Sequence, residues 1–172
     1  MIDVRYRRLD LEDMGFEDLH WAYAYWQERR GEHAMPAWAD IDLNVFPPDM
    51  LPRVCVVDVT PPAVDFRYRF WGTAITAMHH YDLTQRSVRK LTPPEYASCI
   101  WKQYMEVFER REPAAFITEV PLERGLTSYY AVVRMPLSQR GRSVDQILSA
   151  EAYGDQAGEL RKRFEDLWSA QS

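Results

Sequence analysis

Basic charge, cysteine, glycine and long apolar runs are all scarce in this chain of 172 residues. Lysine and arginine number 21 against 26 aspartate and glutamate, and the net charge of −5 supplies no overall attraction to nucleic acid or to an anionic membrane. The local basic stretches, Arg5 to Arg8, Arg86 to Lys90 and Arg161 to Arg163, are short and flanked by acidic or apolar residues, so they read as solvated faces. No stretch approaches the roughly 18 uninterrupted apolar residues of an ordinary transmembrane helix. The N-terminus has neither the basic start nor the continuous apolar core of a secretory signal. Cysteine occurs only as Cys55 and Cys99, both within apolar runs; the expectation is a cytoplasmic protein whose thiols are reduced and structural. The seven glycines show no phosphate-cradling spacing, and there is no internal repeat.

Aromatic side chains, in contrast, are plentiful: six Trp and ten Tyr can build a core and pocket walls. From Phe16 to Arg30, Phe16, Leu19, Ala22, Tyr23 and Trp26 recur at helical spacing before Gly31, which predicts a helix; Trp21 and Tyr25 add a second apolar edge. Residues 35–53 hold four prolines and no sustained period, predicting an irregular connector with one short helical turn. "RVCVVDV" (53–59) and "DFRYRFW" (65–71) read as a hairpin in which Phe66, Tyr68 and Phe70 share a face. Thr92, Pro93 and Glu95 have the spacing of a capping box that opens a long helix over 92–112, with Tyr96, Ile100, Tyr104, Val107 and Phe108 as its stripe. Three further β-type runs follow, at 114–122, 127–138 and 144–153, joined by "ERG" and "QRGR". A last amphipathic helix after Gly154 carries Leu160, Phe164, Leu167 and Trp168. Strands grouped in this way predict α+β architecture, with one antiparallel sheet.

The order helix, hairpin, short helices, long helix and three-stranded meander is similar to that of a PAS domain. "YWQERRGEHAMPAWADIDLNVFPPDMLPRVCVVDV", "DFRYRFWGTAI", "DLTQRSV" and "VDQILSAEAY" narrow the likeness. Together they resemble a bacterial PAS family of small, often stand-alone proteins. The resemblance covers roughly residues 22–153, with Trp71-Gly72-Thr73 its most distinctive piece, and departs from the family at Gln85, where a glycine tends to follow "LT". It implies a five-stranded antiparallel sheet with helices on one face, divided as an N-terminal flanking helix (1–34), a PAS-like domain (35–153) and a C-terminal amphipathic helix (154–172). It also implies non-catalytic sensory or adaptor work in signalling, since the chain has no room for an attached effector. Fold does not fix a ligand, so the site rests on residues.

His79 and His80 are adjacent, point about 100° apart on a helix and have only Asp82 as a nearby acid, so a surface or packing role outweighs haem or metal. At the end of their helix a protonated imidazole would suit the dipole, and Thr73 is a candidate cap at its start. Cys99 in "ASCIW" lacks the Asn-Cys-Arg context of light-sensing flavin sites, so neither haem nor flavin is supported by motifs and the cofactor stays unknown. Glu119, Glu123 and Glu151 sit in or beside strands, where alternation predicts solvent exposure rather than a raised pKa. The candidate apolar pocket is formed by Tyr68, Phe70, Ile75, Met78, Tyr104, Phe108, Tyr129, Ala131 and Val133, the alternative being a filled core. Trp21, Tyr25, Leu160, Phe164 and Trp168 are the candidate partner interface, serving a homodimer and a signalling protein. No nucleic acid or membrane span is expected. Two rival readings stay open: a small lyase or isomerase with an aromatic cavity, and a dimerising scaffold without a ligand.

Overall fold

The computed structural model describes residues 4–121, 126–153 and 157–170. Its strands are β1 (Tyr6–Leu9), β2 (Val54–Thr60), β3 (Asp65–Trp71), β4 (Ala114–Pro121), β5 (Thr127–Leu137) and β6 (Gln146–Ala152). They form one antiparallel sheet in the order β1-β4-β5-β6-β2-β3, so the architecture is α+β, with six strands where the sequence suggested five. The additional strand is β1, whose "YRRL" carries too little apolar pattern to be read as a strand. Pairing with β4 creates it: Tyr6 lies opposite Thr118 and Leu9 opposite Ala115. The "ERG" connection lies outside the described residues.

The helices are α1 (Glu17–Arg30), α2 (Thr73–His79), α3 (Pro94–Arg110) and α4 (Ala157–Ala170). One face of the sheet carries α2 and α3; the flanking helices α1 and α4 cover the other, as Tyr96 of α3 meeting Tyr130 and Phe164 of α4 meeting Tyr129 show on neighbouring residues of β5. The central strands are therefore buried on both sides: β5 is buried from Tyr130 to Leu137 and β6 from Ile147 to Ala152. Such strands lose the polar and apolar alternation that tells one face from the other.

Local corrections matter for the site. The connector holds three short 3₁₀ turns, Trp38–Asp40, Leu43–Val45 and Leu51–Arg53, rather than one. Helix α3 begins one residue later than the capping box implies, with Pro93 at the N-cap and no side-chain cap; Thr92 Oγ1 lies 3.4 Å from the Tyr81 hydroxyl instead. Gly72, not Thr73, is the N-cap of α2. Gln85 takes the left-handed φ of 65° that favours glycine, and its N–H donates to the Tyr68 carbonyl at 2.7 Å. The departure at Gln85 thus falls where the backbone favours a glycine.

Candidate functional site

A bulge in the hairpin decides which residues reach the interior. The register of β2 against β3 shifts between Val56 and Val57: Val57 pairs with Tyr68 while Val56 pairs with Phe70, which leaves Arg69 as the inserted residue. The shift sends Phe70 to the face opposite Tyr68 and brings Trp71 inward, where its ring meets Tyr68 edge-on at 4.7 Å. Cys55 pairs with Trp71 on one side and Ser149 on the other, and Ser149 pairs with Arg134; Glu151 lies two residues along β6 on the same face. Strands β2, β3, β5 and β6 thus aim a polar and aromatic row at α2 and α3.

These side chains enclose a cavity of about 10 Å³, close to the space of one water, lined by Cys55, Tyr68, Trp71, Ile75, His79, Leu91, Tyr96, Ile100, Tyr104, Tyr130, Arg134 and Glu151. Of the nine residues expected at a pocket, Tyr68, Ile75 and Tyr104 come together here. Tyr129, Ala131 and Val133 occupy the opposite face of β5, because side chains alternate and Tyr130 and Arg134 point to the cavity. Phe108 packs on Phe66, with ring centroids 6.4 Å apart, and Met78 is half-buried on α2 away from the lining. The lining is also polar where an apolar one was expected.

Arg134 is 1% exposed. Its Nε and Nη2 donate to Gln103 Oε1 at 3.1 and 2.9 Å, and its Nη1 donates to Ser149 Oγ at 3.0 Å. Gln103 passes the chain on by donating to Thr118 Oγ1 at 2.7 Å, and the guanidinium lies 4.2 Å from the centre of the Tyr104 ring. A guanidinium cannot shed its charge in a protein, so this is a fixed cation in the core. Glu151, 5% exposed, is the opposite case. Its Oε2 is buried with no hydrogen-bond partner, and burial pushes its carboxyl up to about 7 against the pull of Arg134 and Arg53. Glu119 is buried as well but on the other face, accepting from Arg5 at 2.8 Å and from Tyr129 at 3.2 Å. Both carboxylates thus depart from the expected exposure; Glu123 lies outside the described residues.

His79 and His80 separate. His80 is exposed and ends α2 in the left-handed region, φ 64°. His79 turns inward among Trp71, Tyr81 and Tyr96, its ring centroid 5.7, 5.4 and 5.6 Å from theirs. Burial first, and the neighbouring His80 second, push it down to about 4, so it is neutral near pH 7 and not the protonated helix-end imidazole expected. Burial likewise pushes the Cys55 thiol up to about 11 and Cys99 up to about 12, which keeps both as thiols. Among the described residues no three His, Cys, Asp or Glu side chains are grouped to hold a metal ion.

The two titrating groups give opposite slopes of stability with pH. Between about 4.5 and 7 the folded state holds the Glu151 proton that the unfolded chain has released, so stability falls as pH rises through that window. Between about 4 and 6.5 the unfolded chain binds a proton at His79 that the folded state refuses, so stability falls as pH drops. Glu151→Gln removes the first slope only. Its stability relative to wild type is expected to rise by about 3 kcal/mol between pH 4.5 and 8, measured by urea unfolding at each pH.

The expected partner surfaces are engaged within the chain. Leu160 and Phe164 are buried on the sheet, with Phe164 5.2 Å from Tyr129 and Trp168 3.4 Å from the Arg7 guanidinium carbon. Trp21 stacks on Tyr25 at 5.5 Å, Phe46 of the connector caps both rings, and the Tyr25 hydroxyl accepts from the Asp42 N–H at 2.8 Å. An amphipathic helix looks the same in sequence whether it covers its own sheet or another chain. Phe164→Glu is therefore expected to lower stability by about 3 kcal/mol or more, seen in thermal unfolding, because it removes a buried ring packed on Tyr129 and puts a polar group in its place.

Comparison with known proteins agrees with this architecture. The dark-state structure of the blue-light photoreceptor Aureochrome1 LOV aligns with a TM-score of 0.52 at 12% identity, over 72% of this chain and 89% of that one. The PAS domain of Bordetella pertussis BvgS aligns at 0.50 and 16% identity, over 69% and 89%. No curated protein matches in sequence. Among the described residues no helix is long and apolar enough to cross a membrane. A family model for the PAS domain matches residues 14–150, most of the chain, including the bulged hairpin, α2, α3 and every residue that lines the cavity except Glu151. On that match and this fold, the chain belongs to the PAS domain family.

Proposed function

We propose that this chain is a non-catalytic sensory or adaptor protein of the cytoplasm, with the cavity beneath α2 as its input and protein–protein association as its output. PAS domains typically serve sensory signalling, and one observation carries the reading to this chain. Strand β5 presents Tyr130 and Arg134 to the cavity and Tyr129 to Phe164 of α4, so a displacement of one strand is felt on both faces of the sheet. The divisions 1–34, 35–153 and 154–172 then name the cover that receives the signal, the sensing body and the second cover. Output through the flanking helices requires their apolar stripes to loosen from the sheet rather than to stand exposed at rest. The partners this suits are a second copy of the chain and a signalling protein.

A scaffold without a ligand is favoured by one observation, the cavity's capacity of about 10 Å³. Native mass spectrometry of freshly purified protein, with its visible absorption spectrum, separates the two. A co-purified small molecule, lost after mild denaturation, supports the sensor; a bare chain mass with no added absorbance supports the scaffold. The mass of the intact complex gives the oligomer in the same run.

A further inference from the structure

We infer that the cavity accepts a small monocarboxylate with a planar apolar body, bound against Arg134 and accompanied by uptake of one proton at Glu151. This rests on the reading of the cavity as the input site. The first ground is an inventory of hydrogen-bonding groups. Arg134 carries five N–H groups and commits three, to Gln103 and Ser149, which leaves two. Among the described residues no carboxylate stands within ion-pair distance of it. The Tyr130 hydroxyl accepts from Tyr96 at 3.1 Å, so its own hydrogen is available to donate. The wall is rich in donors and carries a fixed positive charge, which suits an anion.

Glu151 is the second ground. Glu151 lines the same cavity as Arg134, and its Oε2 is buried without a hydrogen-bond partner. The groups that face it are Arg134 and Tyr130 from β5, Arg53 from the connector, Cys55 from β2, Tyr68 from β3, Tyr96 from α3 and Tyr153 at the end of its own strand. Of these only the two arginines carry charge near neutral pH. Where Glu151 is ionised before binding, above about pH 7, a ligand carboxylate adds a like charge, so Glu151 takes a proton from solvent and becomes a further donor to the ligand. No other bond changes, and the site goes from one cation and one carboxylate to one cation and one bound anion.

Shape supplies the third ground. The rings of Tyr68, Trp71, Tyr96 and Tyr104 give flat apolar walls, and the sheet and α3 behind them are fully packed. Room must come from the α2 side, where Ile75 is the single fully buried residue of a seven-residue helix. A planar body can take that room by lifting α2, while its carboxylate bears on Arg134 of β5.

Isothermal titration of the full chain with benzoate and with its neutral analogue benzamide tests this, at pH 6 and 8 and in two buffers of different ionisation enthalpy. Benzoate is expected to bind at least about tenfold more tightly than benzamide at pH 6. Its affinity is expected to fall about tenfold from pH 6 to pH 8, with proton uptake approaching one at pH 8, since Glu151 titrates near 7. Glu151→Gln keeps the cavity's shape and a donor at the site; it should retain benzoate binding and lose both the uptake and the pH dependence. Equal or tighter binding of benzamide, proton uptake that survives Glu151→Gln, or no benzoate binding at millimolar concentration overturns the proposal. Failure of the underlying reading looks different: benzoate binds as described, yet leaves the oligomer and partner association unchanged.

Discussion

Gly72→Ala is expected to destabilise the protein by more than about 3 kcal/mol, a fall in unfolding temperature of roughly 6 to 12 °C for a domain of this size. The cause is steric and lies between backbones. A Cβ at this position would overlap the Pro52 carbonyl oxygen and stand 2.6 Å from that carbonyl's carbon and 2.8 Å from the Val54 oxygen. Neither neighbour can move cheaply, since the Gly72 N–H itself donates to the Val54 carbonyl at 3.0 Å and fixes the exit from β3 into α2. The φ of Gly72 is an ordinary −67°, so the residue is required for close approach and not for a left-handed turn. Gly141→Ala makes the control: φ is +71° there with nothing within 4 Å of the new methyl, and a loss of about 1 kcal/mol is expected. Differential scanning calorimetry of the two variants beside wild type gives the comparison. Similar small losses at both positions would remove the argument for a packed joint at Trp71-Gly72-Thr73.

Arg134→Ala carries the second large effect, a loss of about 3 to 5 kcal/mol in urea unfolding at pH 7. Three hydrogen bonds go at once, Gln103 Oε1 is left buried without a donor, and Glu151 loses the nearest charge that offsets its burial. A void opens beside Tyr104 as well, which stacks on the guanidinium. Desolvation of the lone cation opposes these gains, so the pair of polar residues is not itself a large source of stability. Arg134→Met combined with Gln103→Leu should accordingly recover most of the loss, because it removes the cation and its acceptor together. If the double variant is as unstable as Arg134→Ala, packing rather than the unpaired groups dominates.

Much of the fold is legible in the sequence because its outer elements face water on one side. Strand β3 and the stripe of α3 keep a clear period for that reason. The interior of the sheet does not. "TSYYAVVRMPLS" is apolar on both faces because α1 and α4 cover one side and α3 the other, so nothing in it tells which residues point to a cavity. The single charged marker is Arg134, and an arginine in a strand is ordinarily taken as the exposed parity, which places Tyr129, Ala131 and Val133 inside when Tyr130 and Arg134 are. Glu151 misleads in the same way. Long-range partners set both: Gln103 on α3 and Ser149 on β6 make the burial of Arg134 tolerable, and neither is near it in sequence. The bulge that exchanges Phe70 for Trp71 leaves no sequence signal in "DFRYRFW". His79 gave a partial signal, since a histidine beside the most distinctive step of the chain does face the cavity, although as a neutral wall and not as a ligand.

A carboxyl held in the core with a fixed cation is the centre of the site, and its protonation can be watched directly. Carbon-13 NMR of side-chain-labelled glutamate, with the Glu151 resonance assigned by its disappearance in Glu151→Gln, gives the titration of that one group. A midpoint about 7, well above the other glutamates, is the result the buried Arg134 and Glu151 wall predicts. A midpoint at the ordinary value of about 4.3 would place Glu151 in water and contradict the site.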